Sequence, residues 1–182
     1  MNIYDACRNG NVNALLAAIE RGEDVNTYDE DSWSPLMFAS RGSSADNVQC
    51  MRILISNGAN VNARNKSRRS SLHYAAVNNN IDGINLLLDN GADIDAVNKL
   101  NNFTPLMRAC YNKHINAARV LLERGANLSI PDDDGNTCLH EATYRLNIDM
   151  ITLLFEYGAD DTILNVCLFI LLKNNNTSII YI

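Results

Sequence analysis

Three groups of side chains in this sequence have types that could do chemistry. They are the histidines His73, His114 and His140, the acidic run Asp132-Asp133-Asp134, and the cysteines Cys7, Cys50, Cys110, Cys138 and Cys167. Asp132, Asp134 and Asn136 alternate as the first ligands of a calcium loop do. Thr137, however, stands where that loop needs its glycine, and Thr143 where it needs its bidentate glutamate. No pair of cysteines forms C-x-x-C, and no histidine recurs beside a second ligand at zinc spacing. An odd cysteine count argues against a disulfide framework and for a reducing compartment. The strings of a serine nucleophile elbow, a zinc-protease helix and a phosphate-binding loop are absent from the sequence. The expectation is therefore no catalytic residue, no metal ligand and no cofactor.

Placed on the chain, these residues fall into a repeat. Glycines at 22, 58, 91, 125 and 158 lie 33 to 36 residues apart. Their surroundings repeat as well, as in Asn57-Gly58-Ala59-Asn60 and Asn90-Gly91-Ala92-Asp93. Upstream of each glycine stands a second element: Ser34-Pro35-Leu36-Met37-Phe38-Ala39, Ser70-Ser71-Leu72-His73-Tyr74-Ala75, Thr104-Pro105-Leu106-Met107-Arg108-Ala109 and Thr137-Cys138-Leu139-His140-Glu141-Ala142. His73 and His140 thus share one position of the unit, and Cys7 and Cys110 share another beside the alanines. Buried, inert thiols are the expectation there.

Apolar residues spaced by three to four predict two helices per unit. Ser34, Ser70, Thr104 and Thr137 are placed to cap the first helix, with Pro35 and Pro105 in its first turn. The glycine after Leu54-Ile55, Leu87-Leu88, Leu121-Leu122 or Leu154-Phe155 stops the second. Ala6, Ala39, Ala75, Ala109 and Ala142 form a column small enough for neighbouring helices to approach closely. One such unit cannot bury its own apolar face, so units must stack.

The T-P-L-H-x-A and L-L-x-x-G-A elements at this period resemble ankyrin repeats over residues 1–165. The resemblance implies an all-α solenoid of about five helix–turn–helix units with β-turn fingers, at 1–28, 29–64, 65–97, 98–131 and 132–165. It also implies that the repeated histidine hydrogen-bonds turn backbone. Residues 166–182 lack the alanine and glycine landmarks and read as a degenerate C-terminal cap or a disordered tail. Three extra residues near Gly42-Ser43-Ser44-Ala45 predict a longer, mobile turn between the helices of the second unit.

Composition narrows the function. A hydrophobic content of 47% and a charged content of 20% suit a globular domain. The net charge of −6 argues against a nucleic-acid partner. The opening residues lack a basic stretch followed by an apolar run, and the run 163–172 is too short to span a bilayer. A monomer in the cytosol or nucleus is the expectation.

The resemblance further implies a protein partner, held on the concave side by finger tips and first helices. It does not name that partner. Carried over by position, the contacts are Glu30, Asp31 and Trp33, then Lys66 and Arg69, then Phe103, then Asp134 and Asn136 on the fingers. The first helices contribute Arg41, Asn78, Tyr111, Asn112, Tyr144 and Arg145. Exposed aromatics and arginines dominate binding energy, which favours Trp33, Arg69, Phe103, Tyr111 and Tyr144. Arg108 and Glu141, one unit apart, are placed to pair. Arg64, Lys66, Arg68 and Arg69 against Asp132, Asp133 and Asp134 suggest a groove with a basic and an acidic end. The expected role is a scaffold, adaptor or inhibitor. The alternative is a regulatory domain or subunit of an enzyme whose catalytic part lies elsewhere.

Overall fold

Small polar side chains set where most of the helices begin. The computed structural model describes residues 1–160; the tail 166–182 lies outside the described residues. The helices are α1 (Ile3–Arg8), α2 (Val12–Glu20), α3 (Pro35–Ser40), α4 (Ala45–Ser56), α5 (Ser71–Val77), α6 (Ile81–Asp89), α7 (Pro105–Tyr111), α8 (Ile115–Glu123), α9 (Cys138–Tyr144) and α10 (Ile148–Glu156). Ser34 and Thr104 accept the N–H groups of Met37 and Met107 at 3.3 and 3.2 Å. Ser70 and Thr137 sit in capping boxes whose third residue is a histidine, His73 or His140. Three of the five second helices start on asparagine: Asn11, Asn80 and Asn147 accept from Ala14, Gly83 and Met150 at 3.0, 2.8 and 3.3 Å. Gly58 and Gly91 end α4 and α6 with φ of +84° and +79°, a conformation open to glycine at little cost.

The helices stack in two layers. One holds α1, α3, α5, α7 and α9 in order; the other holds α2, α4, α6, α8 and α10. The seam between them is the core. All five column alanines and Leu36, Leu72 and Leu106 are fully buried there. Because each pair packs only on its neighbours, the apolar face is continuous along the stack.

The three extra residues of the second pair correct one expectation. They chiefly extend α4 to 12 residues, against 9 for α2, α6, α8 and α10, rather than loosening the turn. The turn is also anchored. Ser44 caps α4 by accepting from Asn47 N–H at 3.1 Å, and Asn47 Nδ2 reaches back to the Cys7 carbonyl at 3.2 Å. Asn80 Nδ2 donates to the Gly42 carbonyl at 2.6 Å. A Cβ at Gly42 would overlap the Asn47 amide, so the glycine makes room for this lock.

Candidate partner-binding face

The loops that precede the first helices are each built on one acceptor. Asp29 Oδ1 takes the N–H groups of Asp31 and Trp33 at 2.9 and 2.8 Å, and Asn65 Oδ1 takes those of Ser67 and Arg69, both at 3.0 Å. Asn98 and Asp132 repeat this for Asn101 with Phe103 and for Asp134 with Asn136. Asp132 therefore serves its own turn, which accounts for the letters that resembled a calcium loop. Backbone bonds tie the loops into a row: Lys66 N–H to Asp31 O at 3.2 Å, Lys99 N–H to Ser67 O at 2.9 Å and Asp133 N–H to Asn101 O at 3.4 Å.

At the base of the row runs a second set of links. Asn26 donates to Gly58 O at 2.9 Å and accepts from Asn60 N–H at 2.8 Å. Asn62 does the same with Gly91 and Asp93, at 2.9 and 2.8 Å. Asp95, which has no amide to donate, only accepts from Asn127 N–H, at 2.9 Å.

Along the first-helix layer this scaffold presents two aromatic clusters with arginines on them. Trp33 is half-buried and stacked between Phe38 and Tyr74, with ring centroids 5.1 and 4.4 Å away. Tyr4 meets Phe38 edge-on at 5.7 Å, Arg8 covers Phe38 at 4.7 Å and Arg41 covers Trp33 at 5.5 Å. In the second cluster Phe103 and Tyr111 meet edge-on at 6.0 Å. Arg108 lies over Phe103 at 4.9 Å, and Arg145 over Tyr111 at 3.6 Å.

The residues selected from sequence divide accordingly. Glu30, Asp31, Arg41, Lys66, Asn78, Tyr111, Asp134 and Tyr144 are exposed, and Trp33, Arg69, Asn112, Asn136 and Arg145 are half-buried. Phe103 is only 5% exposed; its ring supports Arg108 and is not a contact surface. The amides of Asn78 and Asn112 fold back onto the carbonyls of Tyr74 and Arg108, at 2.8 and 2.7 Å, and finish their own helices. Glu141 pairs with Arg145, one turn along, at 3.0 Å, while Arg108 donates to Asn101 Oδ1 at 3.3 Å. His114 is half-buried against the Val77 carbonyl at 2.9 Å. Of the groove's basic end, Arg64 is held by Asp93 at 2.9 Å and Lys66 by Asp31 at 3.6 Å.

Sequence reasoning missed Tyr4, Arg8, Phe38, Tyr74 and the true setting of Arg108. A signal was present. The column just before the repeated alanine reads Asp5, Phe38, Tyr74, Arg108, Glu141, and changes character where its neighbours repeat.

Burial sets the titration of the inner groups. His73 is fully buried, and burial together with the positive Arg108, Arg64 and Arg69 lowers its pKa to about 4. The neutral ring accepts from Ser70 N–H at Nδ1 (3.2 Å), and Nε2–H donates to Phe103 O (3.0 Å). It thereby fastens α5 to the next loop. Burial pushes the Cys50 thiol up to about 11 and Cys7 higher still; a hydrogen bond with Cys138, then burial, raises Cys110. Such thiols are poor nucleophiles.

Comparison with known proteins fits this geometry. The profile for ankyrin repeats (three copies) matches residues 3–98 and again 94–165. The chain belongs to the ankyrin-repeat family. An ankyrin repeat protein of fowlpox virus (strain NVSL) is 31% identical over 160 residues, covering 84% of this chain and 46% of that protein. A second one from the same virus is 26% identical over 181 residues, covering 100% of this chain and 91% of its own length. An E3 ubiquitin-protein ligase of Arabidopsis thaliana is 33% identical over 159 residues, 86% of this chain and 8% of the ligase. The chain thus spans less than half of the first of these relatives and a small part of the third. Ankyrin repeats serve in general as protein–protein interaction modules. Among the described residues no helix is long and apolar enough to cross a membrane.

Proposed function

We propose that this ankyrin-repeat chain is a non-catalytic module, monomeric and cytosolic or nuclear, that binds a partner protein through its first-helix face and loop tips. It acts by occupancy, as a scaffold, adaptor or inhibitor. The supporting observation is the pair of accessible groups Trp33 with Arg41 and Tyr111 with Arg145, braced from beneath by the buried rings of Phe38, Tyr74 and Phe103. Rigid aromatics and arginines are the types that carry binding energy, and ordering them in advance lowers the entropic cost of association.

A second reading has its own support. The ankyrin-repeat region that matches this chain takes up 8% of the plant ubiquitin ligase, and 4% of a Caenorhabditis elegans ubiquitin ligase that is 42% identical over 148 residues. On that reading the chain positions substrates or partners for catalysis carried elsewhere.

Co-purification of the full chain with mass spectrometry tests both. The first reading expects one recurrent protein whose binding weakens about thirty-fold or more for Arg41→Ala with Tyr144→Ala, the loss of at least one hot spot. Recovery of a catalytic subunit favours the second. A partner held equally well by the double variant removes the first-helix face from consideration. Trp33, the single tryptophan, gives a direct fluorescence readout of occupancy.

A further inference from the structure

Between the two aromatic clusters the first-helix face carries positive charge that the protein does not neutralise. Arg64, Arg124 and Arg145 each have a carboxylate within ion-pair distance (2.9, 2.7 and 3.0 Å). Among the described residues Arg41, Arg69 and Arg108 have none, in a chain whose net charge is −6. The nearby acids are already engaged: Glu141 by Arg145, Asp31 by Lys66 at 3.6 Å and Asp93 by Arg64.

Arg69 and Arg108 are, in addition, partly withdrawn from water. The Nε atoms of both are buried, and among the described residues neither has an acceptor. The Arg108 head is held by the Phe103 ring at 4.9 Å and by Asn101 Oδ1 at 3.3 Å. Arg69 has its backbone N–H fixed on Asn65 Oδ1 at 3.0 Å. After burial itself, the charge of Arg69 is the largest influence that lowers the Arg108 pKa, so the two cations feel each other. Two half-desolvated and mutually repelling guanidinium groups are stabilised by an anion placed between them.

We propose that the outer ends of Arg69 and Arg108 form a seat for a carboxylate, and that the face takes a partner segment carrying Asp or Glu between apolar residues. The apolar neighbours would rest on half-buried Trp33 on one side and on exposed Tyr111 on the other. This rests on the first-helix face being the docking surface, and it adds the chemistry of what docks.

The test uses arginine Nε–Hε resonances of the full chain at low salt, titrated with acetylated, amidated Leu-Glu-Leu and with its isostere Leu-Gln-Leu. Saturable shifts at Arg69 and Arg108 are expected with the Glu peptide, at least ten-fold weaker with the Gln peptide, and absent at Arg52. Arg69→Gln and Arg108→Gln are each expected to weaken the Glu peptide about ten-fold, and Arg52→Gln to leave it unchanged. If either variant loses its fold by circular dichroism, the wild-type resonances decide alone. Equal response to both peptides, shifts shared by Arg52, or a larger response to inorganic phosphate than to the Glu peptide overturns the proposal. A captured partner that binds the Arg69→Gln and Arg108→Gln chains as tightly as wild type overturns the seat and leaves the face standing. Insensitivity to Arg41→Ala with Tyr144→Ala as well removes the face itself.

Discussion

At the residue scale, His73 shows how a polar side chain earns a place in an apolar seam. Both ring nitrogens are used, one by its own helix cap and one by the Phe103 carbonyl of the next loop. The bonds hold only for the neutral ring, since a proton on Nδ1 would face the Ser70 N–H. The folded-state pKa of about 4 lies below the usual 6.5. Between those values the unfolded chain binds a proton that the folded chain refuses. Stability from this residue is therefore complete above pH 6.5 and is lost as pH falls from 6.5 to 4, by about 3 kcal/mol in all. Urea unfolding at pH 7 and pH 4.5 should show this loss in the wild type, with a shallower acid limb in His73→Gln. An unchanged limb in the variant would assign the acid sensitivity to carboxylates instead.

At the scale of elements, the turn between the helices holds a left-handed residue in four of the five pairs. Gly10 fills that position in the first pair with φ +64°; Asn79, Lys113 and Leu146 fill it later at +53°, +60° and +51°. Asparagine tolerates this conformation, but leucine gains nothing from it, and Leu146 is 41% exposed. Leu146→Gly is expected to raise unfolding stability by about 1 kcal/mol, measured by thermal melts. A fall would mean that Leu146 makes contacts worth more than its strain. The Gly42 insertion shows the opposite case. Its letters looked like a loose turn because Gly and Ser mark loops locally. What orders it is Asn47 reaching 40 residues back to the Cys7 carbonyl, a contact between units that local pattern does not encode.

For the whole molecule, the stacking was readable because one set of letters recurs at a fixed period, so every core position was stated several times over. Ala39, Leu72 and Leu106 were assigned correctly for that reason. The binding face was read less well. Phe103 was selected for its type and its loop position, yet the next residue of its own cluster, Arg108, covers it. Tyr74 and Phe38 are core residues, 7% and 4% exposed, and what was overlooked is that they brace Trp33 from beneath. Position within a unit is periodic information, whereas exposure on this face depends on which side chain leans over which. The row of links at the loop bases has a consequence for the solenoid under load. Asn26 and Asn62 clasp the following unit with two bonds each, but Asp95 does so with one. Under an end-to-end pull in an optical trap, the Asp95–Asn127 clasp should give way at lower force than the Asn26 and Asn62 clasps. Asp95→Asn supplies the missing donor, opposite the Gly125 carbonyl, and should raise that rupture force by an amount set by a bond of about 1 kcal/mol. Of these three clasps the one between the third and fourth helix pairs is held by a single bond, so the row of loop bases hinges most easily there.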